Sequence, residues 1–286
     1  MSRRHLLMLA ALAAIWGSSF MFIAIALRDL APSTLILLRM GSGALALAVY
    51  VRLAGHSFGA LRAYAGPLAL LALINTAVPF FLIAWGQQYI DSGLAAIFNA
   101  SAPLFTALFA LSIDQSQRVT GARLAGVVLA FGGVVLLVGF EVDGGERAVA
   151  GALAVVVAAA CYGIGGLYAG RRFAGLPASL VALGSLAWAT LFVLPFGAAQ
   201  ASMPGWETFL SVLYLGVAAT GAAYLLYFAL IAGAGASKAV LVTYLVPALA
   251  LVYGAVFLDE TVTAVSLGGL ALVLAGVALG TGTVRR

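Results

Sequence analysis

Charge is what this chain has least of. Only 8% of its 286 residues are Asp, Glu, Lys or Arg, against roughly 25% in soluble proteins. Hydrophobic residues make up 64%, and the mean hydropathy is +1.16. So little polar surface cannot coat a water-soluble globule. Proline is scarce too, at 8 residues, while the 34 glycines fall mostly inside apolar runs, as they do in membrane helices. The composition is that of an integral membrane protein whose solvent is the lipid bilayer.

Further absences remove whole classes of chemistry. The one cysteine, Cys161, sits in an apolar run, which excludes a disulfide framework and a cysteine-based metal site. His5 and His56 fall at span ends, leaving no paired histidines for haem ligation. There is no H-E-x-x-H run and no acid cluster suited to metal-diphosphate work. No metal, cofactor, nucleic-acid partner or catalytic residue is expected. The pI near 9.6 would suggest nucleic acid in a soluble protein, but here the basic residues lie in short loops between spans, where they set membrane orientation.

What is present is a series of apolar runs. A hydrocarbon core about 30 Å thick needs roughly 20 residues per helix, so ten helices use most of the chain and leave no room for a soluble domain. The punctuation places spans at 6–27, 34–51, 66–87, 92–113, 119–139, 149–169, 178–198, 208–231, 236–257 and 264–282. The opening Arg3-Arg4-His5 and Ala11-Leu12-Ala13 imitate a signal peptide. The run continues to Leu27, too long for a cleaved segment, and reads as a retained first helix.

Basic residues test that count. With the N-terminus in the cytoplasm and sides alternating, eleven of the 14 fall inside: Arg3, Arg4, Arg52, Arg62, Arg118, Arg123, Arg171, Arg172, Lys238, Arg285 and Arg286. Arg28 and Arg147 fall outside, and Arg39 is embedded. The acids take the other side, except Asp114. One miscounted span would scramble this asymmetry, so ten spans with both termini cytoplasmic is the expected topology.

The two halves resemble each other. Thr76, Phe80, Pro103 and Gly132 match Thr220, Tyr224, Pro247 and Gly276 at an offset of 144. Pro32 matches Pro177 at 145, and Trp16-Gly17 matches Tyr162-Gly163 at 146. The expected domains are therefore two five-helix repeats, 1–145 and 146–286. Five is odd, so the second copy must enter the membrane from the opposite side. Inverted repeats of this kind are associated with secondary transporters.

The run Ala14-Ile15-Trp16-Gly17-Ser18-Ser19-Phe20, the pair Pro32 and Arg39, the matched Pro103 and Pro247, and Leu258-Asp259-Glu260-Thr261-Val262 before a Gly-rich last helix carry a family resemblance. Together they resemble the EamA-type branch of the drug/metabolite transporter superfamily, over essentially the whole chain. The resemblance implies ten helices and a bacterial inner-membrane exporter of amino acids or related metabolites. One departure stands out. Members often carry Glu after the fourth span as well as the ninth, but the counterpart of Glu260 is Ser116.

Embedded polar and aromatic residues are the candidates for substrate contact, because a membrane interior tolerates them when buried or lining water. They are Trp16, Asn75, Thr76, Phe80, Asn99, Tyr162, Thr220, Tyr224, Thr243 and Tyr244, with Tyr227 and Ser101 nearby. Asn, Ser and Thr also serve as packing glue between helices. Pro103 and Pro247 free the carbonyls of Asn99 and Thr243 and suggest hinges. Arg39, the one embedded charge, either snorkels, pairs with Glu260, Asp259 or Asp29 as a gate, or receives a substrate carboxylate. Gly126-x-x-x-Ala130 and Gly276-x-x-x-Gly280 mark two packing helices, with a homodimer surface as an alternative use.

Span one lacks the embedded carboxylate of small multidrug pumps, and a lone cavity cation suits neither sugar phosphates nor nucleotide sugars. Aromatic faces, hydroxyls and amides suit a neutral or zwitterionic amphiphile such as an amino acid. The expectation is an amino-acid or metabolite exporter working by alternating access. The alternatives are a channel-like pore, an efflux carrier for hydrophobic drugs, or a membrane scaffold.

Overall fold

In a bilayer every backbone N–H and C=O must be bonded within the protein, and a chain poor in proline meets that demand by coiling. The computed structural model describes residues 1–113, 121–140, 145–200 and 203–280, all helix and connecting turn. Asp114, Ser116, Arg118, Glu141, Asp143, Arg285 and Arg286, used above for topology and for the missing acid pair, lie outside the described residues.

The helical rods are α1 Arg3–Ala26, α2 Pro32–Leu53, α3 Ala65–Gly86, α4 Ser92–Asn99 continued by Ala102–Ile113, and α5 Ala122–Phe140. Then come α6 Glu146–Arg172, α7 Ala178–Ala199, α8 Trp206–Ala234, α9 Val242–Phe257 and α10 Ala264–Gly280. By length and composition, 7 of them can cross a membrane, and α5, α9 and α10 contain shorter apolar stretches. Apolar side chains such as Leu45, Val135, Phe196 and Val256 point outward and are exposed, as expected where the surroundings are hydrocarbon rather than water.

Packing has a plain order. α1 lies against α8 and α9, and α6 against α3 and both parts of α4. α2 and α7 pack on each other; α2 also packs on α8, and α7 on α3. α5 and α10 form a pair at the side, where a Cβ on Gly276 would collide with the backbones of Gly126 and Ala130. The small-residue stripes noted in the sequence therefore face each other inside one chain.

Three departures from regular helix matter. α3 widens into a π-turn at Leu73–Ala77, and α8 does so at Tyr214–Ala222. Each wide turn contains one of the matched threonines, Thr76 and Thr220. The third lies in α4, which breaks at Ala100 and Ser101. Pro103 has no N–H to give Asn99, and its ring crowds that carbonyl. Pro247, by contrast, sits inside an unbroken stretch of α9. There the interruption comes earlier, at Val240 and Leu241, after the short helix Ala236–Ala239.

At one end of the bundle, three ties hold helices together. The Glu260 carboxylate, just past α9, accepts from the backbone amides of Ser92 at 2.8 Å and Gly93 at 3.0 Å, capping α4. Asp259 adopts a left-handed φ of 56°, turning the chain so that Glu260 reaches across. Asp29, between α1 and α2, accepts from the Thr208 hydroxyl at 2.7 Å and the Gly205 amide at 3.0 Å at the start of α8. The Thr208 hydroxyl, then the Gly205 amide, hold its carboxyl below the usual range. Gly86 and Gly151 let α3 and α6 touch backbone to backbone, for a Cβ on either would lie under 3.0 Å from the other's carbonyl oxygen.

Candidate functional site

A cavity of about 370 Å³ occupies the middle of the bundle, within the range typical of small-molecule pockets. It lies where α4 and α9 part company. The first part of α4 packs on α9, while the part after the break turns to α6. Asn99, Ala102 and Pro103 line one side of that wedge, and Thr243, Val246 and Pro247 line the other. Helices from both halves of the chain supply the rest of the wall.

Aromatic rings recur along the rest of the wall. Trp16 on α1 lies 5.3 Å from Tyr227 on α8, and Phe80 on α3 lies 6.4 Å from Tyr162 on α6, centroid to centroid. Both pairs join a helix of one half to a helix of the other. The aromatics at positions 16 and 162 are thus cavity lining rather than part of an interfacial belt.

Arg39 of α2 enters the same space and is only 8% exposed. Its Nε donates to the Thr220 hydroxyl at 3.1 Å, and its guanidinium carbon stands 4.4 Å from the Phe80 centroid. The Thr220 hydroxyl in turn donates to the Leu215 carbonyl at 2.8 Å, across the π-turn. A widened turn leaves carbonyls without regular partners, and the threonine satisfies one of them while aiming the arginine. Thr76 holds the matching place in α3, sharing a 2.7 Å hydrogen bond with Ser185 of α7.

Of the residues expected to touch substrate, the structure brings Trp16, Asn75, Phe80, Asn99, Tyr162, Tyr224 and Thr243 to the cavity wall, with Pro103 and Pro247. Thr76, Thr220 and Tyr244 are not on that wall. Both threonines are buried braces between helices, while the Tyr244 hydroxyl is enclosed with no partner. The Arg39–Glu260 pair suggested for a gate does not form, since Arg39 is held by Thr220 and Phe80 and Glu260 by the α4 amides. Glu260 lines a separate small crevice at the bundle end. The sequence reading did not single out Ser19, Ile23, Ile83 or Ala219, which also line the cavity. Only the adjacency of Ser19 to the Trp-Gly-Ser run hinted at one of them.

An all-helical apolar bundle around a partly polar central cavity is the architecture of a multi-pass membrane protein with a small-molecule site. The EamA-like transporter family matches residues 3–139 and again 149–281. The chain belongs to that family. Among relatives, it is 30% identical to the "Probable terminal-alkyne amino-acid exporter" of Streptantibioticus cattleyicolor over 278 residues, 92% of this chain and 89% of that one. It is 26% identical to the "Probable amino-acid metabolite efflux pump" of Salmonella typhimurium, over 96% of this chain and 94% of that one. A solved crystal structure matches with a TM-score of 0.70 at 22% identity, covering 100% of both chains, which shows the shared fold. Like these relatives, the chain is a transporter and not an enzyme.

Proposed function

We propose that this protein exports amino acids or related small neutral or zwitterionic metabolites across the bacterial cytoplasmic membrane by alternating access. The carrying observation is the central cavity, walled by aromatic and amide side chains from both halves of the chain. α1 to α10 all cross the bilayer, with both termini in the cytoplasm, as two inverted five-helix repeats.

Several features support this. The family matches each half separately, and two relatives carry exporter or efflux-pump names. The packing partners correspond: α1 with α8 and α9 in the way that α6 lies with α3 and α4. The matched threonines lie in matched π-turns and hold matched neighbours, Arg39 on α2 and Ser185 on α7. Within this correspondence, α4 is broken at its proline and α9 is continuous there. Alternating access calls for two similar halves in unlike shapes that can exchange.

In this state the end tied by Glu260, Asp29 and the Gly86–Gly151 contact is shut, and α4 and α9 diverge beyond the cavity. A carrier rather than a channel-like pore fits a path closed at one end. The test is counterflow in proteoliposomes, with unlabelled phenylalanine, leucine or threonine inside and a labelled trace outside. Saturable accumulation of label is expected, weakened at least tenfold by Trp16→Ala. Non-saturable equilibration without overshoot would make it a pore.

A further inference from the structure

Arg39 is a buried cation with no counter-charge among the described residues. Its Nε is used by Thr220 and its guanidinium carbon stands over Phe80, but no carboxylate of the described residues comes within ion-pair reach of it. Among the described residues neither terminal nitrogen has a protein acceptor, yet neither is sealed away: the enclosed unpartnered atoms there belong to Gln87, Ser92, Asn99 and Tyr244. Both terminal N–H groups therefore face the cavity that Arg39 lines.

An arginine that only braced two helices would be expected to use its planar fork on protein acceptors. Here the fork is left to the cavity, while Nε and the ring below fix its direction. Among the described residues the cavity wall contains no Asp or Glu. A ligand ammonium would find only aromatic faces, hydroxyls, amides and the carbonyls loosened near the prolines. The wall is built to demand a carboxylate and merely to accept an amine.

We propose that Arg39 is the carboxylate anchor of the transport site, and that the substrates are compact amphiphilic monocarboxylates in which the amine is dispensable. This rests on the transporter reading above and redraws its substrate class around the carboxylate, so that net-anionic hydroxy and oxo acids join the zwitterionic amino acids. A guanidinium fork binds a carboxylate through two parallel hydrogen bonds, replacing the hydration that the anion loses on entry. Hydroxy or oxo acids with the same side chain then fit as amino acids do, whereas amides of amino acids do not.

The test uses the full-length protein and three sets of probes: phenylalanine, leucine and threonine, their 2-hydroxy acids, and their carboxamides. Binding is read by ligand-induced shift of the unfolding temperature in detergent, and transport by inhibition of counterflow. Within each set the amino acid and hydroxy acid are expected to agree within about tenfold and the amide to be at least tenfold weaker. Arg39→Gln should erase the preference of acid over amide, and Arg39→Lys should keep part of it. A merely structural arginine would lower all probes together and leave their ratio unchanged, which would overturn the proposal. Amides matching acids in the wild-type protein would also overturn it while leaving the transporter reading intact. No binding or counterflow with any probe would remove both.

Discussion

Thr220 has two jobs that pull on different parts of the protein. It aims Arg39 by accepting from Nε and holds the Leu215 carbonyl of its own π-turn. Thr76 has one, the bond to Ser185. Thr220→Val and Thr76→Val keep the side-chain shape and remove the hydroxyl. Each is expected to cost about 1–3 kcal/mol of stability through an unsatisfied buried partner. Only Thr220→Val should also weaken transport, by about tenfold, because it frees the arginine within the cavity. Thermal unfolding and counterflow per folded molecule separate the two effects; equal transport loss in both variants would deny Thr220 its orienting part. The sequence marked both threonines by their common offset, but as cavity residues. The π-turns explain the difference. One residue adds about 100° of rotation to an α-helix, so a widened turn shifts which side chains meet the cavity, and nothing in an apolar run announces the shift.

At the scale of helices, the sequence was most legible where hydrophobic length decides, and least where a loop reaches across the bundle. The expected apolar runs coincide with α1, α2, α3, α6, α7 and α8 to within about three residues at each end, and the first starts at Arg3 and runs through Ala26, whereas α9 begins only at Val242. The break in α4 follows from Pro103, yet the same chemistry at Pro247 leaves α9 intact. Tertiary packing, not local sequence, chooses where each helix gives way. Glu260 was visible as one of two adjacent acids in a conspicuous turn, but its partner was not, because a backbone amide has no signature of its own. A carboxylate at a helix N-terminus gains from both hydrogen bonds and the dipole, about 0.5–2 kcal/mol for the cap. Glu260→Gln removes the charge and one of the two acceptors. In a Cys161→Ala background carrying Leu94→Cys, it should raise thiol labelling from the shut end several-fold; an unchanged rate would mean the cap does not hold that end. Asp29 caps α8 in a related way, with its carboxyl held ionised below the usual value of 3.8 by Thr208, Gly205 and Arg28. A lowered folded value means that the contribution is complete above the unfolded value and is lost as pH falls through the folded one. The apparent unfolding temperature should therefore drop on acidification below about pH 4, where ordinary carboxyls protonate, and Asp29→Asn should show a shallower drop.

Taken whole, the molecule is tied at one end by contacts between helices of opposite halves: α4 with the turn after α9, α3 with α6, and the α1–α2 turn with α8. If substrate passes by exchange of shapes between the halves, all three must part once per cycle. Gly93 offers the most direct way to forbid it. A Cβ built there would lie 3.4 Å from the Leu251 Cα, against a leucine side chain that a cysteine would remove. Disulfides join residues whose Cα atoms are usually about 4.4–6.8 Å apart, a reach that this close approach suits, so Gly93→Cys with Leu251→Cys, again with Cys161→Ala, should cross-link α4 to α9. The oxidised protein is expected to bind phenylalanine, since the cavity lies beyond the bond, but to lose at least nine-tenths of its counterflow until dithiothreitol is added. Retention of both binding and counterflow while cross-linked would place the moving parts elsewhere and leave the broken α4 as a fixed feature of the wall. Loss of binding together with transport would mean that closure at this end reshapes the cavity, tying the Glu260 cap to affinity as well as to exchange.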